Sequence, residues 1–282
     1  MKLIRAITNG SGRAVRSIKP VLIIWLVTLF AISLLAGPLK SALISATGSS
    51  NATSMIADGF SIDFWTGLIP VSTASLSGLL KGVLVLLVFY IFIGVFLNGG
   101  LFDSLKANVC GYPLKEFFRA SAANFLSFLV VTIMVILMIL LTVALVIGLP
   151  LLIVRGGDGG EAVMTKVMNI MRIVLLLVLP VLLLVADYAR AWLSGSEEKK
   201  AFKALGYGFK ATFNSFISSY IFMLLMVVIQ GVFAYLASMI MNIYPSGGGG
   251  LFLFFLLTQA LVIIRIFLRA LRYGGVTTLH TI

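Results

Sequence analysis

The chain contains almost none of the residues that form redox, metal or nucleophilic sites. Its single cysteine is Cys110, and its single histidine is His280, close to the C-terminal residue of the sequence. One cysteine cannot form an intrachain disulfide, and one cysteine with one histidine provides too few ligands for a zinc site. No HExxH helix occurs, and we expect His280 to lie in a solvated tail, which leaves no catalytic triad. We therefore predict a protein without catalytic residues, cofactor or metal ion.

Charged residues are also scarce, acids above all. Only 11% of the residues are charged, whereas about 25% is usual for a soluble domain, and 21 Lys and Arg face nine Asp and Glu. The chain is 61% hydrophobic with a mean hydropathy of +1.15, so most of its surface cannot face water. Its cations stand in short segments beside apolar runs. This placement favours a polytopic membrane protein in contact with anionic lipid headgroups over a nucleic-acid-binding protein.

Six apolar runs are long enough to cross about 30 Å of hydrocarbon as helices. They cover about residues 21–46, 79–97, 124–150, 167–186, 216–243 and 251–267. A basic start before the first run also fits a signal peptide, but this run is longer than a signal core and is predicted to remain as a span. The sequence therefore predicts an all-α integral membrane protein in which residues 1–282 form a single polytopic domain.

The cations are distributed unequally across the predicted membrane. Sixteen of the 21 Lys and Arg lie in the N-terminal arm, in the connectors at about 98–123 and 187–215, and at the C-terminal end. An even number of spans places these four segments on one side, and the positive-inside rule assigns that side to the cytoplasm. Both termini are therefore predicted to be cytoplasmic.

Residues 187–220, which join the fourth span to the fifth, carry a basic amphipathic pattern. At about 100° per residue, five apolar side chains share one helical face and four lysines share an adjacent face. The apolar face contains Phe202, Leu205, Phe209, Phe213 and Phe216, and the basic face contains Lys199, Lys200, Lys203 and Lys210. Such a helix lies in the membrane surface with its cations at the headgroups. Together with Lys115 and Arg119, these lysines are the predicted contacts for lipids or a partner protein.

A shift of 91 residues aligns the chain with itself. Phe118-Arg119-Ala120-Ser121 then lies over Phe209-Lys210-Ala211-Thr212, and Phe125-Leu126-Ser127 lies over Phe216-Ile217-Ser218. Arg13-Ala14 holds the same place before the first span. The pattern predicts three parallel repeats, at about 1–97, 113–190 and 204–272, each an amphipathic helix followed by a transmembrane hairpin. The alternative is that interfacial segments rich in Phe, Ser and Lys are alike by composition.

Three short motifs resemble a broad group of bacterial six-span inner-membrane proteins. They are Leu97-Asn98-Gly99-Gly100-Leu101, Glu116-Phe117-Phe118-Arg119-Ala120 entering a span, and Asp187-Tyr188-Ala189-Arg190 leaving one. The group includes the membrane domain of glycerophosphoryl diester phosphodiesterases and related uncharacterised families, and the likeness covers most of the chain. The resemblance implies a bacterial inner-membrane location and a six-helix domain. It implies no chemistry, because the chain shows no counterpart of the soluble catalytic barrel found in some members.

Polar residues within the apolar runs are the candidates for a transport path, because such groups are costly in hydrocarbon and face the bundle interior or a cavity. They are Gln230, Thr258 and Gln259 at depth, with Asn98 nearer a helix end. As an alternative, the two glutamines are predicted to hydrogen-bond between the fifth and sixth spans. Asp187 is predicted to pair with Arg190 where the fourth span ends.

These features favour a non-enzymatic membrane protein that acts as a scaffold or organises lipids through a basic cytoplasmic rim. The alternative is a transporter or channel for a lipid or small solute, with its path near Gln230 and Gln259. A third hypothesis is an outer-face enzyme that uses Asp58 and Asp63 as a carboxylate pair. The predicted partners are anionic lipid headgroups, with a partner protein or a second copy of the chain as further candidates and no nucleic acid.

Overall fold

The computed structural model describes residues 2–47, 73–108, 110–156, 161–241 and 248–281 as helices joined by short connectors. The helices are α1 Lys2–Arg16, α2 Ile18–Thr47, α3 Thr73–Ala107, α4 Leu114–Val143, α5 Leu149–Gly156, α6 Glu161–Gly195, α7 Ala201–Asn214, α8 Phe216–Met241 and α9 Gly248–Thr281. A π-helical turn, Ala144–Gly148, joins α4 to α5. No strand occurs in the described ranges, so the predicted all-α class is confirmed.

Five helical segments are long and apolar enough to cross a membrane, and a bent pair of helices is a sixth candidate. The five are Leu84–Lys106, Leu114–Leu152, Val163–Gly195, Phe216–Ile240 and Phe252–Leu279. In the bent pair, Ile4–Arg16 and Ile18–Leu34 meet at 62°. Helices of this length satisfy their backbone hydrogen bonds internally, as hydrocarbon requires. The chain is therefore a multi-pass membrane protein.

Two predicted connectors and the predicted tail are wholly or partly helical. The connector predicted at about 98–123 is reduced to residues 108–113, because α3 continues to Ala107 and α4 begins at Leu114. Residues 187–220 do not form one helix, because α6 ends at Gly195 and α7 begins separately at Ala201. The predicted loose tail is wrong, because α9 continues through Thr281 and the side chains of its last turns, Val276 and Leu279 among them, are buried.

A tight turn joins α3 to α4. Asn108 and Gly111 have positive φ angles of 54° and 75°, a backbone conformation that Asn and Gly adopt most readily. Between them and α4, Tyr112 is buried and its hydroxyl donates to Asp103 Oδ2. Burial, and after it this hydrogen bond, raises the pKa of Tyr112 above its ordinary value. The turn is therefore fixed at both its backbone and its one large side chain.

The chain falls into two compact units. The first unit consists of Met1–Val21, Val95–Tyr235 and Ile263–Ile282, and the second consists of Leu22–Gly94 and Leu236–Val262. In the first unit, α1, α6, α8 and α9 share a core cluster of buried side chains. Its members are Ala6, Leu184, Tyr188, Phe222, Met223, Met226, Val276 and Leu279.

Aromatic rings connect α3, α4 and α9 in the same unit. Phe102 stacks on Tyr273 with the ring centroids 4.4 Å apart, and it meets Phe128 edge to face at 5.8 Å. Such aromatic pairs contribute roughly 0.5–1.5 kcal/mol beyond the area that they bury. The C-terminal end of α3 is therefore held by protein rather than by lipid, which keeps its polar last turns helical.

Small residues allow three close helix crossings in the first unit. α1 crosses α9 at Gly10, where a Cβ atom would lie 2.7 Å from the backbone nitrogen of Gly275. The end of α3 crosses α4 at Gly99, where a Cβ atom would lie 3.1 Å from Ser121 Cα. α7 crosses α6 at Gly208, where a Cβ atom would strike the α6 backbone. Each crossing therefore depends on a glycine.

Candidate lipid-facing and polar sites

The side chains of α7 point in three directions. Its protein-facing side contains Ala201, Ala204, Leu205, Gly208 and Thr212, all of them buried. Phe202 and Phe213 are 69% and 62% exposed, and they follow the helical period on the next face. Lys203 and Lys210 are exposed beyond the phenylalanines. The apolar face predicted for this helix is therefore divided, because Leu205 packs on protein while Phe202 and Phe213 do not.

An aromatic row continues from α7 into α8. Phe213 stacks on Phe216 with the ring centroids 6.1 Å apart, and Phe216 stacks on Tyr220 at 5.3 Å. The Tyr220 hydroxyl donates to Leu177 O of α6 at 3.0 Å. The exposed rings are therefore held in place around the bend at Ser215 and do not swing freely.

Two of the predicted contact lysines share one acid. Glu198 Oε2 lies 2.7 Å from Lys203 Nζ and 3.7 Å from Lys200 Nζ. The hydrogen bond from Lys203, supported by the charge of Lys200, lowers the pKa of Glu198. Lys210 makes no ion pair with any residue that the structure describes. Exposed ion pairs of this kind are weak, so Lys200 and Lys203 can exchange Glu198 for another anion.

Lys199 has a different role from its neighbours. Its Nζ donates to Leu193 O at 2.8 Å, which satisfies a carbonyl at the end of α6. Its own carbonyl oxygen accepts a hydrogen bond from Ser127 Oγ of α4 at 2.6 Å. Partial burial lowers the pKa of Lys199, against the smaller, opposing attraction of Asp103. Lys199 therefore ties the connector to two helices and is not a free basic contact.

The remaining two contact candidates lie in the first turns of α4. Arg119 forms an exposed ion pair with Glu116, with Arg119 Nη2 and Glu116 Oε2 2.5 Å apart and side chains 72% and 38% exposed. Lys115 is exposed and makes no ion pair within the described ranges.

Asp187 is fully buried between two arginines. Its Oδ1 lies 3.4 Å from Arg190 Nη1 on the same helix, which confirms the predicted pair. Its Oδ2 lies 3.0 Å from Arg272 Nε of α9, although these two atoms are not aligned for a hydrogen bond. Arg190 Nη2 also donates to Thr132 Oγ1 of α4 at 3.1 Å. This ion cluster therefore connects α4, α6 and α9, with two cations sharing one anion.

Both intramembrane glutamines are used in bonds between helices. Gln230 Nε2 of α8 donates to Leu268 O of α9 at 3.5 Å, as expected for a residue that links the fifth and sixth spans. Gln259 Oε1 of α9 instead accepts from Trp25 Nε1 of α2 at 3.0 Å. The expectation that Gln259 bonds to the fifth span is therefore wrong, since its partner belongs to the first.

The other two polar candidates do not join the glutamines. Thr258 Oγ1 donates to Phe255 O of its own helix at 2.7 Å, as hydroxyls within membrane helices commonly do. Asn98 is half-buried next to Gly99, at the place where α3 crosses α4. Within the described part of the chain, no hydrogen bond connects two of the four candidates.

A half-enclosed cleft of about 350 Å³ lies at the end of α6 in the first unit. Its polar lining comes from α1, α3, α6 and α9 and consists of Arg13, Lys106, Trp192, Ser194, Ser196 and Thr277. Arg13 Nη1 donates to Thr277 Oγ1 at 3.3 Å. Lys106 Nζ lies over Gly195, 3.0 Å from the place that a Cβ atom would take. The cleft has no signature in the sequence, because its residues come from four distant parts of the chain.

Several other candidates do not contribute to a described site. Asp58 and Asp63 belong to residues 48–72, outside the described residues, and of His280 only the backbone is described, as part of α9. Cys110 is exposed in the α3–α4 turn. Among the described residues, no three His, Cys, Asp or Glu side chains form a group that could hold a metal ion.

Three features of the structure bear on function: the faces of α7, the ion cluster at Asp187 and the cleft at the end of α6. No protein-family model, curated protein or solved structure matches this chain. The resemblance to the membrane domain of glycerophosphoryl diester phosphodiesterases therefore stays a prediction. The described residues offer exposed aromatic and basic surface on α7, and polar bonds that hold helices together.

Proposed function

We propose that the protein is a non-enzymatic membrane protein that organises anionic lipids through a basic rim on the cytoplasmic side. The observation that carries this proposal is the division of α7 into three faces. Its small residues pack on α6, where Gly208 lies against Val185, while Phe202 and Phe213 are exposed. A helix that only packed on protein would gain nothing from large exposed rings beside lysines.

The membrane boundary is the environment in which these faces are favourable. Burying a phenylalanine side chain away from water contributes about 1.5–3 kcal/mol, which the acyl region of a bilayer supplies to exposed rings. Lys203 and Lys210 then stand at the level of the headgroups, where a lysine contributes about 1 kcal/mol toward anionic lipid. α7 also lies between two membrane spans, since α6 ends at Gly195 and α8 begins at Phe216.

The proposal places this rim in the cytoplasm, at the inner membrane of a bacterium, with both termini on that side. Contacts within the first unit support a common side for the basic segments. Arg16 Nη1 of α1 donates to Asn108 Oδ1 of the α3–α4 turn at 3.2 Å, and Arg13 donates to Thr277 of α9. Since these segments carry most of the cations, the positive-inside rule favours the cytoplasm.

We also propose that the chain contains three parallel repeats that begin with α1, α4 and α7. The three glycine crossings support this, because in each the first helix of a repeat crosses the end of another repeat's last helix. The equivalent buried positions are Gly10, Phe117 and Gly208, followed four residues later by Ala14, Ser121 and Thr212. The burial pattern therefore aligns Ala14 with Ser121 and Thr212, whereas the sequence match aligns it with Ala120 and Ala211. The two registers of the first repeat differ by one residue.

The transporter hypothesis receives less support from the described side chains. Gln230 and Gln259 each bond to a neighbouring helix, and such bonds contribute about 0.6 kcal/mol on average to helix association in a membrane. Residues that hold helices together are poorly placed to bind and release a solute. The lipid-organising function is therefore the one that we put forward for testing.

The test is the lipid preference of the reconstituted protein. Electron paramagnetic resonance of spin-labelled lipids measures the fraction of phosphatidylglycerol and of phosphatidylcholine immobilised at the protein surface. We expect the wild-type protein to immobilise more phosphatidylglycerol. The double variant Lys203→Gln/Lys210→Gln should lower this preference several-fold, because each lysine near the surface contributes about 1 kcal/mol.

Two matched variants separate charge from structure. Lys203→Arg/Lys210→Arg keeps both charges and should keep the preference. Glu198→Gln removes the acid that competes for Lys203 and should strengthen the preference. Equal immobilisation of the two lipids by the wild-type protein, or an unchanged preference in the Lys→Gln double variant, would refute the proposed function.

A further inference from the structure

The cleft at the end of α6 has the chemistry of an anion site. Arg13 and Lys106 both line it, and neither forms an ion pair with any acidic residue that the structure describes. None of the described residues that line the cleft is an Asp or a Glu. The other arginines and lysines that converge on one place, at Asp187 and at Glu198, do so around a carboxylate. Among the described sites, only this cleft brings two cations together with no carboxylate in its lining.

One hydroxyl group adds a neutral donor to the two cations of the cleft. The Ser196 hydroxyl lines it and accepts from Glu198 N, so its own hydrogen can be donated, whereas the hydroxyls of Ser194 and Thr277 already donate to Ala191 O and Gly274 O. A hydroxyl, a guanidinium and an ammonium group are donors that bind phosphate oxygens. Arg13 is already oriented, because its Nη1 donates to Thr277 Oγ1 at 3.3 Å. Its remaining guanidinium donors have no partner assigned in the described structure.

One feature of the cleft opposes an anion, and the structure offsets it. The carbonyl groups at the end of α6 carry partial negative charge, as at every helix C-terminus. Two of these carbonyls are already satisfied, Trp192 O by Ser196 N at 2.9 Å and Leu193 O by Lys199 Nζ at 2.8 Å. Lys199 also brings a third cation close enough to interact with Lys106, and this cation interacts with the nearby carboxylate of Asp103 as well.

We infer that this cleft binds a single phosphate group, held by Arg13 and Lys106 and by the hydroxyl of Ser196. Its volume of about 350 Å³ lies at the lower end of the roughly 300–1,000 Å³ of small-molecule sites, which suits a headgroup and not a whole lipid. The phosphate belongs to an anionic lipid headgroup if the proposed function holds, and in that case this is the one stoichiometric site of the rim. A soluble phosphate ester carries the same group.

The test is a titration of the delipidated protein in non-ionic detergent, followed by native mass spectrometry. The ligands are phosphatidylglycerol, phosphatidylcholine and glycerol 3-phosphate. We expect one phosphatidylglycerol to bind more tightly than all further molecules. Arg13→Gln/Lys106→Gln should weaken this first binding at least tenfold, because a hydrogen bond to a charged group is removed at each position. Arg5→Gln/Lys19→Gln removes the same charge from exposed residues of the N-terminal arm outside the cleft and should leave the first binding unchanged.

Each outcome decides between the sources of the phosphate or against the site. Binding of glycerol 3-phosphate but not of phosphatidylglycerol, with the same dependence on Arg13 and Lys106, would support the site and assign it to a soluble ligand. Equal first binding by the wild-type protein and Arg13→Gln/Lys106→Gln, with circular dichroism showing both folded, would overturn the inference. This result leaves the lipid preference measured with Lys203 and Lys210 untouched, so the two proposals fail separately.

Discussion

The replacement Asp187→Asn tests whether the buried ion cluster holds the first unit together. Asparagine keeps the shape of the side chain and removes its charge. Arg190 and Arg272, which are both 12% exposed, would then face each other without an anion. Removing one partner of a buried ion pair costs about 3–5 kcal/mol, because the remaining charge is left uncompensated. At about 2–4 °C per kcal/mol for a protein of this size class, the apparent Tm should fall by roughly 6–20 °C.

The ratio of two cations to one anion makes the prediction sharper. Arg272→Gln should destabilise less than Asp187→Asn, because Asp187 keeps its contact with Arg190. The double variant Asp187→Asn/Arg272→Gln should be more stable than Asp187→Asn alone, since it removes one of the two uncompensated charges. Glu116→Gln is the matched control, because it removes the acid of an exposed Arg–Glu pair and should leave the apparent Tm almost unchanged.

The measurement is thermal unfolding of the purified protein in detergent, followed by circular dichroism at one scan rate for all variants. An Asp187→Asn protein that unfolds at the same temperature as Glu116→Gln would show that the cluster contributes no stability. An Arg272→Gln protein that is less stable than Asp187→Asn would show that Arg272 acts through packing and not through this carboxylate.

Three further predictions follow from single positions. Gly208→Ala should destabilise the protein by about 1–3 kcal/mol in the same unfolding assay, because its Cβ would strike α6, whereas Gly206→Ala has open space and should be neutral or stabilising. Cys110, exposed in the α3–α4 turn, should react with a membrane-impermeant maleimide in inside-out vesicles and not in right-side-out vesicles, and the opposite result would refute the proposed topology. Gln230→Leu should lower the free energy of unfolding by at most about 1 kcal/mol and leave lipid immobilisation unchanged. If this replacement abolished the transport of a solute, the alternative function would be favoured.

Hydropathy is sufficient to predict the all-α class, because long runs such as Leu114–Leu152 have no rival structure in a membrane. It is not sufficient for the helix ends. Residues 98–107 and 268–281 are polar enough to be taken for connectors, yet they are helical. Leu101 and Val276 explain the difference, since both are fully buried in the first unit. Hydropathy reports how a segment partitions into lipid, whereas the end of a helix depends on which protein surface it meets.

The same limit applies to the candidate sites. The pair of Asp187 and Arg190 is predictable, because residues three apart share a helical face. Arg272 is not, because no local pattern relates it to Asp187. On α7, the period locates the apolar side chains but does not separate Leu205, which faces protein, from Phe202, which does not. Small residues at every fourth position are the signal that marks the protein-facing side.

The crossing of α1 and α9 has a consequence for how the protein is made. Arg13 and Thr277 are 264 residues apart in the chain, and Gly10 packs beside Gly275. At a synthesis rate of about 5–20 residues per second, α1 waits roughly 13–50 s for this partner. During that time its buried face, including Ala6, has no native contact from α9. A helix made early is therefore packed late, and the nascent chain must hold α1 at the membrane until residues 274–279 of α9 arrive.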